Sequence, residues 1–267
     1  MEEVNEVATR MTGRVIKDVN ADVLAVIEAE SRPALVRFSK GVIETAVSGP
    51  SYSHVMLIDG NDERGIDVGI MTRAGYEISL MRSHVDDTDA AGQVFSRDCA
   101  EYWITTPQGN SLVVLINHFK SKGYGSQASS NKKRQRQTAR VKEIYEGLVA
   151  SGQARVVVVG DFNDTPDSDA LAPLIQQTDL RDISEHKNFD DGAAGTRPGT
   201  YANGAKSNKI DYVLLSPDLF AVAQAGGIFR KGVWGGKNGT LFEHYPEITR
   251  LEEAASDHAA IWAEIDV

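Results

Sequence analysis

The chain has 267 residues, 41% of them hydrophobic and 25% charged, with a formal net charge of −10 at pH 7. Such a composition belongs to a folded globular protein with length for one large core or two small ones. The acidic balance excludes holding nucleic acid by bulk charge, because that affinity comes from neutralising phosphates; a phosphodiester would have to be held locally, by a metal and a few cations. One cysteine, Cys99, excludes an internal disulfide. No stretch has the length and apolarity of a transmembrane span, and the acidic start lacks the basic and apolar regions of a signal peptide. A soluble protein is expected, without stable membrane insertion, either cytoplasmic or secreted after removal of a signal. No repeat and no Pro- or Ser-rich linker divides the chain, so residues 1–267 are taken as one domain.

In chain order, Glu3–Asn20 places Val7, Met11, Val15 and Val19 at helical spacing and predicts an amphipathic helix. Asp22–Ile27 is a short apolar strand that leaves Glu28 at its end, with Glu30 on the same side as the competing residue. Ser31–Ser39 reads as a helix with Ser31 as N-cap. His54–Asp59, Gly65–Thr72 and Tyr76–His84 read as strands. His54 and His84 have no partner motif and are assigned to structure, while Arg64 and Asp67 fit either a salt-bridged turn or a substrate contact. Phe95–Thr105 is a further strand with Arg97 near its start, and Leu112–Asn117 is a buried strand that delivers His118 to a rim, followed by Lys120 and Lys122. Gly123–Ser130 is rich in Gly and Ser and is expected to be a mobile loop. The helix predicted at about Asn131–Ser151 carries Lys132, Lys133, Arg134, Arg136 and Arg140 toward its start, where cations oppose the macrodipole. Either a polyanion nearby or salt bridges to acids must compensate, and the salt bridges are the better supported. Ser168–Gln176 reads as a helix, His186–Gly204 as a long loop over the active face, Lys209–Ser216 as a strand and Ala259–Val267 as the last strand. Gly226–Gly239 holds Trp234 among its glycines and assigns to no element.

The chemistry gathers around RVVVVGDFNDTP at 155–166, where four valines predict a strand buried on both faces. Asp161 and Asn163, two apart, leave it on the same side while Phe162 turns back to packing. A carboxylate that orients water beside an amide that holds a phosphoryl oxygen suits phosphoryl transfer; a plain Asx turn, with Asp164 capping a following helix, is the competing reading. Asp211 sits among Ile210, Tyr212, Val213 and Leu214, where an unpaired carboxylate would cost roughly several kcal/mol. His258 is its expected partner. A carboxylate beside imidazole raises the imidazole pKa and favours an imidazolium that meets developing phosphorane charge or protonates the leaving oxygen. Asp257 next to it can serve a metal or its water shell.

GDFN after the valine strand, together with ADVLAVIE at 21–28, INHF at 116–119, KIDYVLLS at 209–216 and SDHA at 256–259, resembles the endonuclease/exonuclease/phosphatase superfamily, which includes deoxyribonuclease I, abasic-site endonucleases and bacterial sphingomyelinases. The resemblance runs from Ala21 to the C-terminus. It implies an α+β fold, a four-layer α/β/β/α sandwich of two mainly antiparallel sheets flanked by helices, with a cleft at one end of the paired sheets. It implies hydrolysis of a phosphodiester, foremost as a nuclease on DNA or RNA, by in-line attack of an activated water with Mg²⁺ or Mn²⁺. By the same resemblance Glu28 binds the metal, His118 steadies a phosphoryl oxygen or the leaving group, and Arg97 faces the substrate phosphate. Asp161, Asn163, Asp211 and His258 complete the expected catalytic group, and Asp257 is expected to assist the metal. Lys120, Asn163 and Asn208 are expected to contact substrate, and Tyr201 either stacks on a base or sugar or merely packs. The alternatives are sphingomyelinase-like or phosphomonoesterase activity, or an impaired binding module. The last is kept because family members begin with a strand bearing a metal-site asparagine, whereas here Met1 opens into a helix in which Asn5 is no substitute. The fold is therefore expected to lack that first strand.

Overall fold

The structure, a computed structural model, describes residues 5–123 and 125–267; Glu3 and Val4 of the first predicted helix, and Tyr124 of the predicted Gly/Ser loop, lie outside them. In chain order the elements are α1 (Glu6–Val19), β1 (Val23–Ala29), α2 (Arg32–Phe38) running into a π-helical turn at Ser39–Ala46, β2 (His54–Leu57), β3 (Asp67–Thr72), β4 (Glu77–Arg82), the short hairpin β5 (Thr88–Asp89) and β6 (Gly92–Gln93), β7 (Cys99–Thr105) and β8 (Ser111–His118). There follow α3 (Gln127–Ala150), β9 (Val156–Asp161), α4 (Ala172–Ile175), β10 (Arg181–Asp182), β11 (Phe189–Asp190), β12 (Asp211–Leu215), α5 (Pro217–Ala221), β13 (Ala223–Phe229) and β14 (Ala260–Ile265).

Six strands in the order β10-β12-β9-β8-β7-β4 make one sheet, antiparallel except for the β8/β9 pair. The facing layer consists of two three-stranded sheets, β1-β3-β2 and β11-β13-β14. Alternation along the strands sorts the side chains between two cores. On one face of the large sheet Val113, Leu115, Val156, Val158, Tyr212 and Leu214 pack under Val141, Ile144, Tyr145 and Leu148 of α3. On the other, Val114, Ile116, Val157, Val213 and Leu215 meet Val68 and Ile70 of β3 and the inner residues of β1 and β14. The π-helical turn and α2 cover the outside of β1 and β3 through Leu35, Ile43 and Met71, and α1 packs through Met11 on Tyr245 and Ile248. The result is the expected α/β/β/α layering of a deoxyribonuclease I-like fold. The facing layer is split: among the described residues no strand pairs with the outer edge of β1 or of β14, and the apolar residues of both stay half-buried.

Several sequence-drawn boundaries move. Asn5 lies just outside α1 as its N-cap, its Oδ1 accepting from the Val7 and Ala8 amides at 3.0 and 3.1 Å. The long helix begins at Gln127, inside the predicted loop, because Ser126 caps it through the Ser129 amide. Between 168 and 176 only four residues are helical. The strand β13 was hidden by Gly226 and Gly227, which carry no β signal; a Cβ there would meet Ile183 Cγ1 at 2.4 Å and the Asp190 carbonyl at 2.7 Å.

Gly160 decides how β9 lies beside β8. It has φ +135°, and a Cβ built on it would fall 1.8 Å from the Asn117 carbonyl oxygen, so only glycine lets the two backbones approach at the end of this parallel pair. Gly160→Ala is expected to lower stability by about 3 kcal/mol or more. Urea denaturation followed by circular dichroism checks this, and a wild-type midpoint would contradict it.

Candidate active site

Three polar residues end up in one row because of strand register. His118, the last residue of β8, pairs with Asp161, the last of β9, and Asp161 pairs with Asp211, the first of β12. Residues opposite each other in a ladder project to the same face, and by alternation with Ile116, Val159 and Val213 that face is the one between the sheets. The row closes the inter-sheet core at its open end. His118 Nε2 stands 3.5 Å from Asp161 Oδ2 and 3.9 Å from Glu28 Oε1.

Glu28 reaches the row from the facing layer. The β1/β3 register slips between Ile27 and Ala29, and Glu28 sits in that bulge with φ +62° and a side chain 59% exposed. A non-glycine residue held in the left-handed region costs of order 1–3 kcal/mol, which marks a position fixed by its surroundings. Glu30 is exposed, and no hydrogen bond or ion pair among the described residues ties it to the row.

The Asp211 carboxylate does find His258: the imidazole Nδ1 donates to Oδ2 at 2.9 Å. The His258 backbone forms an isolated antiparallel bridge with Tyr201, whose ring lies 4.8 Å from the imidazole, tilted by 51°. Flanking hydrogen bonds from Ala202 N–H to the Asp257 carbonyl and from Ala259 N–H to the Thr200 carbonyl fix that strand end. Tyr201 thus packs on His258, while Asp257 is exposed. Asn208 is bound into the same loop, its carbonyl accepting from the Tyr201 and Thr200 amides and its Nδ2 donating to Asn203 Oδ1 at 2.8 Å.

Asn163 adopts φ +55° and turns onto Asp161. Its backbone N–H donates to Asp161 Oδ1 at 2.8 Å, and its side-chain amide donates to Asp161 Oδ2 at 2.8 Å and to the Phe119 carbonyl at 3.1 Å. Both amide hydrogens are therefore engaged within the protein. Arg97 is 3% exposed and also spends a donor on the Phe119 carbonyl (2.6 Å), with Nη1 on Asp62 at 3.1 Å. The backbone of Lys120 is pinned by Gln137 and Arg134.

Burial raises the Asp161 carboxyl, the Asp211 charge adds to the effect, and together they outweigh His258, the Asn163 amide and Arg97, taking its pKa to about 7. Burial works against the charged form of His258, but the hydrogen bond and charge of Asp211, with Asp161 and Asp257 behind, raise it to about 9. His118 is driven the other way, to about 3, by burial first and then by the positive charges of Arg97, His258 and Arg64. At neutral pH the row holds a neutral His118 imidazole, an Asp161 carboxyl poised near its midpoint and a His258 imidazolium hydrogen-bonded to Asp211.

The arginines at the basic start of α3 are accounted for by acids. Arg134, fully buried, donates to Asp164 at 3.0 and 3.1 Å; Arg136 pairs with Asp89, Arg140 with Asp87 and Glu143, and Lys133 with the Gln93 carbonyl. Asp164 caps no helix, since it is occupied by Arg134, Lys122, Ser168 and the Thr165 amide. His54 stands 3.0 Å from Glu77, and the His84 ring bridges Asp87 and Glu101, both away from the row. Two participants escaped the sequence reading: the Phe119 carbonyl, which as a backbone group leaves no trace in sequence, and Asp62, whose only signal was its place two residues before Arg64.

The chain matches the model of the Endonuclease/Exonuclease/phosphatase family over residues 2–263. No curated protein sequence matches it. Among solved structures it is similar to a mannosyl-6-phosphatase of Bacteroides thetaiotaomicron, with 14% identity, TM-score 0.67 and coverage of 97% of this chain and 91% of that one. Truncated TDP2 of Caenorhabditis elegans gives 15% identity, TM-score 0.61 and coverage of 96% and 89%. The beta toxin of Staphylococcus aureus gives 15%, 0.60, and 97% and 92%. These likenesses share the fold, and the match along nearly the whole sequence shows that the chain belongs to the Endonuclease/Exonuclease/phosphatase family.

Proposed function

We propose that the chain is a divalent-metal-dependent phosphodiesterase that hydrolyses its substrate by in-line attack of water, with a nucleic-acid strand as the first substrate to test. The observation that carries this reading is the row His118, Asp161 and Asp211 with His258 hydrogen-bonded at its end. Asp161, raised toward neutrality, accepts the proton of the attacking water, and Asn163 fixes both of its oxygens so that the lone pairs point one way. His258, charged through Asp211, donates to a phosphoryl or leaving oxygen as negative charge develops. His118, kept neutral, offers a hydrogen bond without adding charge beside Glu28.

The residues fit a hard cation at one place. Glu28 offers an exposed carboxylate beside the row, and it would hold Mg²⁺ or Mn²⁺, with Asp257 toward its water shell. Asp161, Asp211 and His258 also bring ligand atoms within 4.8 Å of one another, with the imidazole Nδ1 hydrogen-bonded to the Asp211 carboxylate. When bound, the metal would screen the phosphate charge. A second reading, a compact phosphoester substrate, is favoured by one observation: Arg134, Arg136 and Arg140 of α3 are all committed to Asp or Glu, so that helix offers little to a long polyanion.

Glu28→Gln is expected to abolish metal-dependent turnover of plasmid DNA or bis(p-nitrophenyl) phosphate while leaving thermal stability near wild type, because the changed group is exposed. Wild-type rates in millimolar Mg²⁺ would remove Glu28 from the metal site. Asp161→Asn should lower kcat by about 10²–10⁴ with little change in KM; a loss confined to KM would contradict a base role. The pH profile of kcat/KM should rise as Asp161 ionises near 7 and fall as His258 loses its proton near 9. Asp211→Asn should move the falling limb to lower pH, and an unmoved limb would separate His258 from the reaction.

A further inference from the structure

The loop between β2 and β3 is fastened at four points. Gly60 N–H donates to Asp67 Oδ1 at 2.7 Å, Asn61 N–H to the Ser96 carbonyl at 2.6 Å, Asn61 Nδ2 to the Val85 carbonyl at 2.9 Å, and Gly65 N–H closes a turn on the Asp62 carbonyl at 2.9 Å. A Cβ on Gly60 would lie 3.2 Å from Arg97 Cα, so the loop is seated on the segment that carries Arg97. A loop held this way has little conformational freedom left to lose on binding.

What it presents is Arg64, 47% exposed, with Nε and Nη2 donating to the two oxygens of Asp62 at 2.9 and 2.8 Å. The same Asp62 accepts from the buried Arg97, so two guanidiniums share one carboxylate. Arg97 and Asn163 in turn meet at the Phe119 carbonyl, which completes a hydrogen-bonded path from Asp161 in the row out to Arg64. Arg97 Nε is buried with no hydrogen-bond partner among the described residues.

We propose that Arg64, with Arg97 behind it, forms a second anion subsite next to the reaction row, which takes a phosphate neighbouring the scissile phosphoester. The inference rests on the phosphoesterase reading of that row. A guanidinium suits phosphate because its donors match the oxygens, and an anion at Arg64 competes with the Asp62 carboxylate for Nε and Nη2. The neighbouring phosphate can come from the next link of a nucleic-acid strand or from a compact bisphosphate.

The test compares the p-nitrophenyl ester of thymidylate with the same ester carrying a second phosphate on the other sugar hydroxyl. Wild-type protein should turn over the doubly phosphorylated substrate with kcat/KM about tenfold or more above the singly phosphorylated one. Arg64→Gln, a change at an exposed loop position, should bring that ratio close to one, and Arg64→Lys should restore part of it. In metal-free protein, calorimetry with inorganic pyrophosphate should show binding that weakens about tenfold in Arg64→Gln. Equal use of the two esters by wild type, or an unchanged ratio and unchanged pyrophosphate binding in Arg64→Gln with only a lowered melting temperature, would overturn the subsite and leave a salt-bridged turn. Absence of turnover with intact, Arg64-dependent pyrophosphate binding would instead sink the phosphoesterase reading and keep the subsite. Competition by a short oligothymidylate assigns the neighbouring phosphate to a strand, competition by pyrophosphate alone assigns it to a compact substrate, and competition by neither contradicts the proposal.

Discussion

The close backbone pairing of β9 between β8 and β12 is the constraint on which the rest of the molecule depends. Its register sets His118 opposite Asp161 and Asp161 opposite Asp211, and Gly160 permits the approach at the point where the strands end. A slip of one residue in β9 would send Asp161 toward α3 and Gly160 toward the inter-sheet core. The valine run makes such a slip costly, because Val156 and Val158 are committed to the helix face and Val157 and Val159 to the other sheet. The hydrophobic core and the polar row are therefore specified by one alternation.

That row then sets its own electrostatics. Two carboxylates from adjacent strands at the edge of an apolar core cannot both be comfortably charged, and the structure separates their roles by what each is given. Asp211 receives an imidazole; Asp161 receives a neutral amide and deeper burial. The Asp211 hydrogen bond and charge raise His258, while Asp161 is lifted toward neutrality. Asn163 and Glu28, one on each layer, are both held at positive φ, so strained backbone sits on both sides of the row, as expected where geometry serves a site.

Much of this was legible in the sequence because it followed from alternation and polarity. The valine strand, the side on which Asp161 emerges and the need of Asp211 for a partner could all be argued from residue types, and the Asp211–His258 contact spans 47 positions of sequence. The basic helix start was resolvable only as a choice between acids and a polyanion, and the structure supplies the acids from loops that no local pattern links to α3. Other features lay beyond the sequence for physical reasons. Asn163 turns on Asp161 because its backbone enters the left-handed region, the Phe119 carbonyl is a backbone group, and β13 is built partly from glycines whose value is the space they leave. The split of the facing layer into two three-stranded sheets is a property of pairing, visible only once β1 and β14 are each seen at an edge.

The central claim is that Asp211 and His258 act as one unit at the end of the row, and a double-mutant cycle tests it most directly. Measuring kcat/KM for Asp211→Asn, His258→Ala and the double variant, with folding verified for each, should show the double loss barely exceeding the larger single loss, because removing either partner already leaves the other misprotonated or misoriented. Losses that add strictly in the logarithm of kcat/KM would contradict the account, and the 2.9 Å hydrogen bond would then be a structural contact alone.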